Sequence, residues 1–121
     1  MILVDTSVWV DHLRTNVPKL AALLTGGSVV MHSAVLGELA CGSIKHRAQR
    51  IQDWTALPPI QACSDKAVLN LIESRELMSR GIGWVDAHLL CSVLNCRGSS
   101  FWTRDERLRE IAKELRISFS E

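Results

Sequence analysis

Ile2-Leu3-Val4-Asp5-Thr6-Ser7-Val8-Trp9, directly after Met1, is the stretch whose reading decides the fold. Three consecutive large apolar residues without alternation predict a short strand covered on both faces, as in a parallel sheet. Asp5-Thr6-Ser7 ends that strand and starts a helix, with Asp5 or Ser7 as its cap. Open parallel α/β sheets bind ligands outside the carboxyl ends of their strands. Asp5 falls at that edge, so it carries two readings, a helix cap or a site residue.

Outward from this stretch the chain alternates between the two kinds of element. Val8 to Arg14 forms a short amphipathic helix, with Trp9 and Leu13 one turn apart. Val17-Pro18 opens a second helix, and Gly26-Gly27 stops it. Ser28 to Met31 reads as a second buried strand. Ser33 is the expected cap of a helix over 34–44, with Leu36, Leu39 and Ala40 on one side and Glu38 off that stripe. A basic run, Lys45-His46-Arg47 with Arg50, leads into a segment that ends at Pro58-Pro59, with Trp54 as its inward anchor.

Ile60 to Cys63 is a weak third strand. Ser64-Asp65 caps a helix over 66–80, whose buried side carries Val68, Leu71, Ile72 and Met78. After Gly81-Ile82-Gly83 a further helix runs over 84–97, with Cys91 and Cys96 on it, and stops at Gly98. Ser100 to Thr103 is a strand of β-favouring residues. Arg104-Asp105-Glu106 opens the last helix, and Ile117 to Phe119 is a final short strand. The fold class this implies is α/β: one domain over 1–121, with a central, mostly parallel sheet of four to five strands flanked by helices.

Composition bounds the function. A chain that is 47% hydrophobic and 22% charged is an ordinary folded domain and excludes a disordered one. Fourteen basic and thirteen acidic residues leave a formal net charge of +1, so a nucleic-acid partner must be argued from local charge. No basic leader with an apolar run and small-residue cleavage site is present, so no signal peptide is expected. No apolar run approaches the ~20 residues of a membrane span. Cys41, Cys63, Cys91 and Cys96 form no C-x-x-C pair, which removes the usual zinc spacing. Reduced, mostly buried thiols in a cytoplasmic protein are the expectation.

Four acids sit at element boundaries. Asp5 and Asp105 follow strands directly or nearly so. Asp86 lies in the first turn of a helix, and Glu38 about one turn into another. Helix starts favour a negative charge by ~0.3–1 kcal/mol, which accounts for Asp5, Asp86 and Asp105 singly but not for Glu38. As a group at one sheet edge they form a different object. Carboxylates packed together cannot all stay ionised without a counter-charge. With no His or Cys among them, the counter-ion that fits is a hard divalent cation, Mg²⁺ or Mn²⁺. Thr6, Ser7 and Thr103 are hydroxyls placed to hold these acids. Lys45, Arg47 and Arg50 are either a solvated face or a guide for an RNA backbone.

The same residues carry a resemblance. Ile2 to Trp9, Val35-Leu36-Gly37-Glu38-Leu39, Gly83-Trp84-Val85-Asp86-Ala87 and Trp102-Thr103-Arg104-Asp105-Glu106-Arg107-Leu108 resemble, in order, the four acidic motifs of PIN-domain ribonucleases, in particular VapC-type toxins of toxin–antitoxin pairs. The resemblance implies a three-layer PIN-like fold and a Mg²⁺-dependent endoribonuclease, with Mn²⁺ as substitute. It implies Asp5, Glu38, Asp86 and Asp105 as the catalytic, metal-holding set, with Asp5 and Asp86 the most direct ligands. It also implies an RNA substrate, a cognate antitoxin that enters the acidic groove, and a homodimer. One departure stands out: where the family often has proline or a small residue, this chain has Gly83-Trp84. Two other classes fit parts of the sequence. One is a catalytically silent binding module for RNA or an antitoxin on the same scaffold. The other is a phosphoacceptor receiver domain, which needs an aspartate after its third strand, where this chain has Ala62-Cys63.

Overall fold

Ile2–Val4 (β1) forms the middle of a parallel sheet in the computed structural model, which describes residues 1–121. All three residues are buried, as an unalternating apolar triplet requires. Val29–Val30 (β2) pairs with one edge of β1, Ile2 opposite Val29. Ser100–Trp102 (β3) pairs with the other, Ile2 opposite Ser100 and Val4 opposite Trp102. The order β2-β1-β3 means the chain leaves β1 first to one side and later returns on the other. That reversal is a switch point, and the crevice it leaves lies beyond the carboxyl ends of β1 and β3.

Three strands form ladders, not the four to five expected. The two weak strands survive as single parallel bridges, Met31 with Pro59 outside β2 and Phe101 with Ser118 outside β3. The first is cut short by Pro58-Pro59, which lack the N–H groups a ladder needs. Only the Met31 amide to the Pro58 carbonyl (2.9 Å) and the Ile60 amide to the Met31 carbonyl (3.0 Å) remain. The second holds Phe101 between the Ile117 carbonyl (2.7 Å) and the Phe119 amide (2.9 Å). The reading placed the final segment correctly, since Ser118 lies within 117–119, but the third pairs through Pro59, just ahead of the expected Ile60 to Cys63, and neither sustains a ladder.

Seven helices surround the sheet: Thr6–Arg14 (α1), Pro18–Thr25 (α2), Ser33–Ala40 (α3), Arg47–Thr55 (α4), Asp65–Ser74 (α5), Trp84–Leu94 (α6) and Glu106–Glu114 (α7). None is long and apolar enough to cross a membrane. The core joins Leu3, Trp9, Leu20, Trp54, Leu89, Phe101 and Trp102 around the strands. Trp9 of α1 meets Trp54 of α4 edge-on at 6.0 Å, so Trp54 is the inward anchor its sequence position suggested. Each such side chain contributes ~1.5–3 kcal/mol of transfer free energy on burial.

Several boundaries differ from the sequence reading. α5 stops at Ser74, because Glu76 and Ser79 take left-handed backbone (φ 53° and 60°); Leu77, not Met78, is the buried residue of the loop that follows. α6 stops at Leu94, short of Gly98, so Cys96 lies beyond it. α3 is capped by His32 instead of Ser33: the imidazole Nδ1 accepts from the Ala34 amide at 3.0 Å. Of the four thiols only Cys91 is buried, while Cys41 and Cys96 are exposed.

Candidate active site

Asp5 leaves β1 with its backbone still in the sheet, its amide donating to the Trp102 carbonyl at 2.8 Å. It occupies the N-cap position of α1, yet its side chain caps nothing. Its Oδ2 instead accepts from the hydroxyls of Thr103 (2.7 Å) and Ser7 (2.8 Å). Ser7 Oγ in turn accepts from the Arg104 amide, and Thr103 Oγ1 from the Asp105 amide, both at 3.1 Å. The switch point thus stitches the residues after β1 to those after β3. Asp5 is 6% exposed, a buried carboxylate held by hydroxyls and left without a cation.

The other three acids are fixed by their own elements. Asp86 lies in the first turn of α6, and its Oδ2 accepts from the Gly83 amide at 3.0 Å. Asp105 caps α7, its Oδ1 accepting from the Leu108 amide at 2.9 Å. Glu38, exposed on α3, accepts from the Thr6 hydroxyl at 2.8 Å, which ties α3 to the start of α1. Each carboxylate therefore uses one oxygen locally and keeps the other without a protein donor. None of the four enters a salt bridge; those that form are Arg80–Glu114, Arg104–Asp11, Arg104–Glu121 and His88–Asp65.

The acids share a field without touching. Burial pushes the Asp86 carboxyl above its ordinary range and the Gly83 amide pulls it back. The charges of Asp5, Asp105 and Glu38 then push it up again. No three acidic, histidine or cysteine side chains stand close enough, in their present rotamers, to grip one ion together. The donor set itself is all oxygen, which fits Mg²⁺ or Mn²⁺ and not zinc.

Glu38 and Thr6 also line a cavity of about 730 Å³, whose walls include Arg14, Lys45, His46 and Arg50. Two of the three basic residues expected at an RNA face, Lys45 and Arg50, line it. Arg47 does not: its guanidinium donates to the carbonyls of Ala40 and Gly42 (3.0 Å for the latter) and closes the C-terminus of α3. Arg14 replaces it. Its signal in the sequence was faint, a lone basic residue at the end of an amphipathic helix. His88 lies 3.3 Å from Asp65 and against the Trp84 ring.

Residues 2–114 match the PIN domain family. The chain is 41% identical over all of its 121 residues to Ribonuclease VapC32 of Mycobacterium tuberculosis strain CDC 1551 / Oshkosh, and spans 98% of that protein. The same identity and coverage hold for Ribonuclease VapC32 of strain ATCC 25618 / H37Rv.

Proposed function

Because this chain belongs to the PIN domain family, we propose that it is a metal-dependent endoribonuclease, the toxin of a type II toxin–antitoxin pair. The observation that carries the reading is the field at Asp86. The charges of Asp5, Asp105 and Glu38, on three other segments, all bear on Asp86, and no Arg or Lys forms a salt bridge with any of the four. Such a cluster costs stability unless something cationic is to be held there.

Asp5 and Asp86 are the proposed direct ligands of Mg²⁺, with Mn²⁺ as substitute; Asp105 completes the set and Glu38 adjoins it. A bound Mg²⁺ lowers the pKa of its water and neutralises charge on a phosphodiester. The chain's own residues do the rest. Ser7 and Thr103 fix the Asp5 carboxylate through one oxygen and leave the other without a protein donor. Thr6 anchors Glu38 through one oxygen, leaving the second to orient the attacking water and accept its proton. Lys45, Arg50 and Arg14 hold RNA phosphates along the cavity that Glu38 also lines. Further parts of the reading are a cognate antitoxin that covers the acidic groove, a cytoplasmic location with free thiols, and a homodimer. The exposed Leu69 and Met78 are apolar surface available to a second copy.

The test is cleavage of single-stranded RNA by the purified chain in Mg²⁺, in excess chelator, and after Asp5→Asn or Asp86→Asn. Loss in chelator and in both variants is expected. Equal cleavage in all four samples overturns the reading. Absence of cleavage throughout, with RNA or antitoxin still bound, gives the catalytically silent module instead.

A further inference from the structure

Trp84 is the one aromatic among the exposed large apolar side chains, at 44% exposure. It opens α6 two positions before Asp86, at the point where the sequence departs from its family. Its ring meets His88 edge-on, 4.6 Å between centroids and 83° between planes. Beside it is a cavity of about 340 Å³ walled by Trp84, Val85 and His88 of α6, His32 and Ser33 at the start of α3, and Cys63.

The position of this cavity follows from the sheet. His32 comes just after the β2 edge as Asp5 comes just after β1, and the two strands run parallel. The cavity therefore opens on the same carboxyl edge as the acids. Glu38 lines the basic cavity, and Trp84, two positions before Asp86, lines this one. A second observation points to a ligand. His32 is 3% exposed, and its Nδ1 accepts from the Ala34 amide, which puts the ring proton on Nε2. That Nε2 has no acceptor in the protein. A buried donor is rarely left unpaired.

We infer that this cavity takes one unstacked base of the RNA, stacked on Trp84 and hydrogen-bonded through a ring nitrogen or carbonyl to His32 Nε2. The inference rests on the nuclease reading and adds a base-selecting subsite to it. Single-stranded RNA is read in this way, by aromatic faces that stack splayed bases and by donors that meet their edges. Mostly apolar walls with two or three polar groups suit a flat heterocycle. A phosphate would instead seek the cations of the basic cavity.

Binding of a fluorescent single-stranded decamer RNA tests this in an Asp5→Asn background with Mg²⁺, so that the readout does not depend on cleavage. Trp84→Ala should bind roughly tenfold more weakly and Trp84→Phe nearly as well as the parent. An abasic nucleotide scanned along the RNA should weaken the parent at one position and have no added effect there in Trp84→Ala. Cleavage by the Trp84→Ala enzyme should show the loss in KM, with kcat changed little. Equal affinity of parent and Trp84→Ala, or a Trp84→Phe defect as large as that of alanine, overturns the inference. So does loss of antitoxin binding with RNA affinity intact, which would make Trp84 a protein contact. The two readings fail separately: RNA that binds through Trp84 but is never cut by the unmodified chain sinks the nuclease alone. Cleavage that ignores Trp84 sinks the subsite alone.

Discussion

Thr103 donates its hydroxyl to Oδ2 of Asp5 at 2.7 Å, across 98 positions of sequence. Ser7 donates to the same oxygen from two positions away. The pair holds the carboxylate of a residue at a helix start in one orientation, because both donors are themselves anchored by backbone amides after β3.

Thr103→Val should therefore lower kcat/KM by about 10- to 100-fold, the usual cost of losing a partner that orients a ligand. Thr103→Ser should restore most of it. Calorimetry with Mn²⁺ should show a parallel loss of metal affinity, which a purely structural role would not produce. Unchanged metal binding in Thr103→Val would mean that Ser7 alone suffices to orient Asp5.

Arg47 and Arg50, three residues apart, should behave differently. Arg50 lines the same cavity as Glu38, so Arg50→Ala should weaken RNA binding and reduce the salt slope by about 0.7 for the phosphate it releases. Arg47 serves the carbonyls at the end of α3, so Arg47→Ala should leave the salt slope unchanged and cost ~0.3–1 kcal/mol of stability. RNA titrations at several salt concentrations, beside thermal melts, separate the two effects.

The elements were legible where local chemistry decides them. Ile2-Leu3-Val4 had to be a covered strand, and Gly26-Gly27 had to end a helix; both do. Misreadings came where tertiary contacts outvoted local preference. Met78 has the right spacing for the buried side of a long α5, but left-handed Glu76 turns the chain early and Leu77 goes inside. Ser33 is the better cap by composition, but the buried His32 imidazole takes the Ala34 amide. The acids were legible as four boundary residues in a fixed order along the chain. That Ser7 and Thr103 share one oxygen of Asp5 was not, since nothing in a sequence gives the register of β1 against β3. Arg47 looked like its neighbours because charge alone does not reveal that a guanidinium already has partners.

Two histidines make stability fall on mild acidification. His12 Nδ1 accepts from the Val17 amide at 2.9 Å, and His32 Nδ1 from the Ala34 amide, so each must be deprotonated there. Burial lowers the His12 pKa, with Arg50 adding to it; burial lowers that of His32, with His88 adding. The unfolded chain then binds these protons more readily than the folded one. Stability is full above the ordinary histidine range, near 6.5, and is lost as pH drops through it toward the lowered folded values. Urea midpoints at pH 7.5 and 5.5 should differ in that direction, and His12→Asn with His32→Asn should flatten the difference.

Thiol reactivity should sort by environment. Burial and the neighbouring Cys63 push the Cys91 thiol up to about 12, so almost none of it is thiolate at neutral pH. Brief treatment of the native chain with iodoacetamide should label the exposed Cys41 and Cys96 first and Cys91 last. Mass spectrometry of the peptides reads the order, and early labelling of Cys91 would show that α5 and α6 part readily.

Burial and the nearby acids set a stability cost at Asp86. Its carboxyl is raised by burial first and then by Asp5, Asp105 and Glu38, so its charged form is disfavoured in the folded state. A raised acid destabilises the fold above its unfolded pKa, and the penalty is relieved as pH falls through the folded value. Asp86→Asn removes that penalty at neutral pH while its carbonyl still accepts from the Gly83 amide. The metal-free variant should therefore be slightly more stable than the parent, with a higher Tm. Millimolar Mg²⁺ should reverse the ranking, since a ligand of the native state stabilises the parent by mass action and the variant, lacking one carboxylate, much less. Melting curves of both proteins with chelator and with Mg²⁺ test this without any RNA. A variant that is less stable than the parent in chelator would show that Asp86 is held by its helix cap and not strained by the other acids.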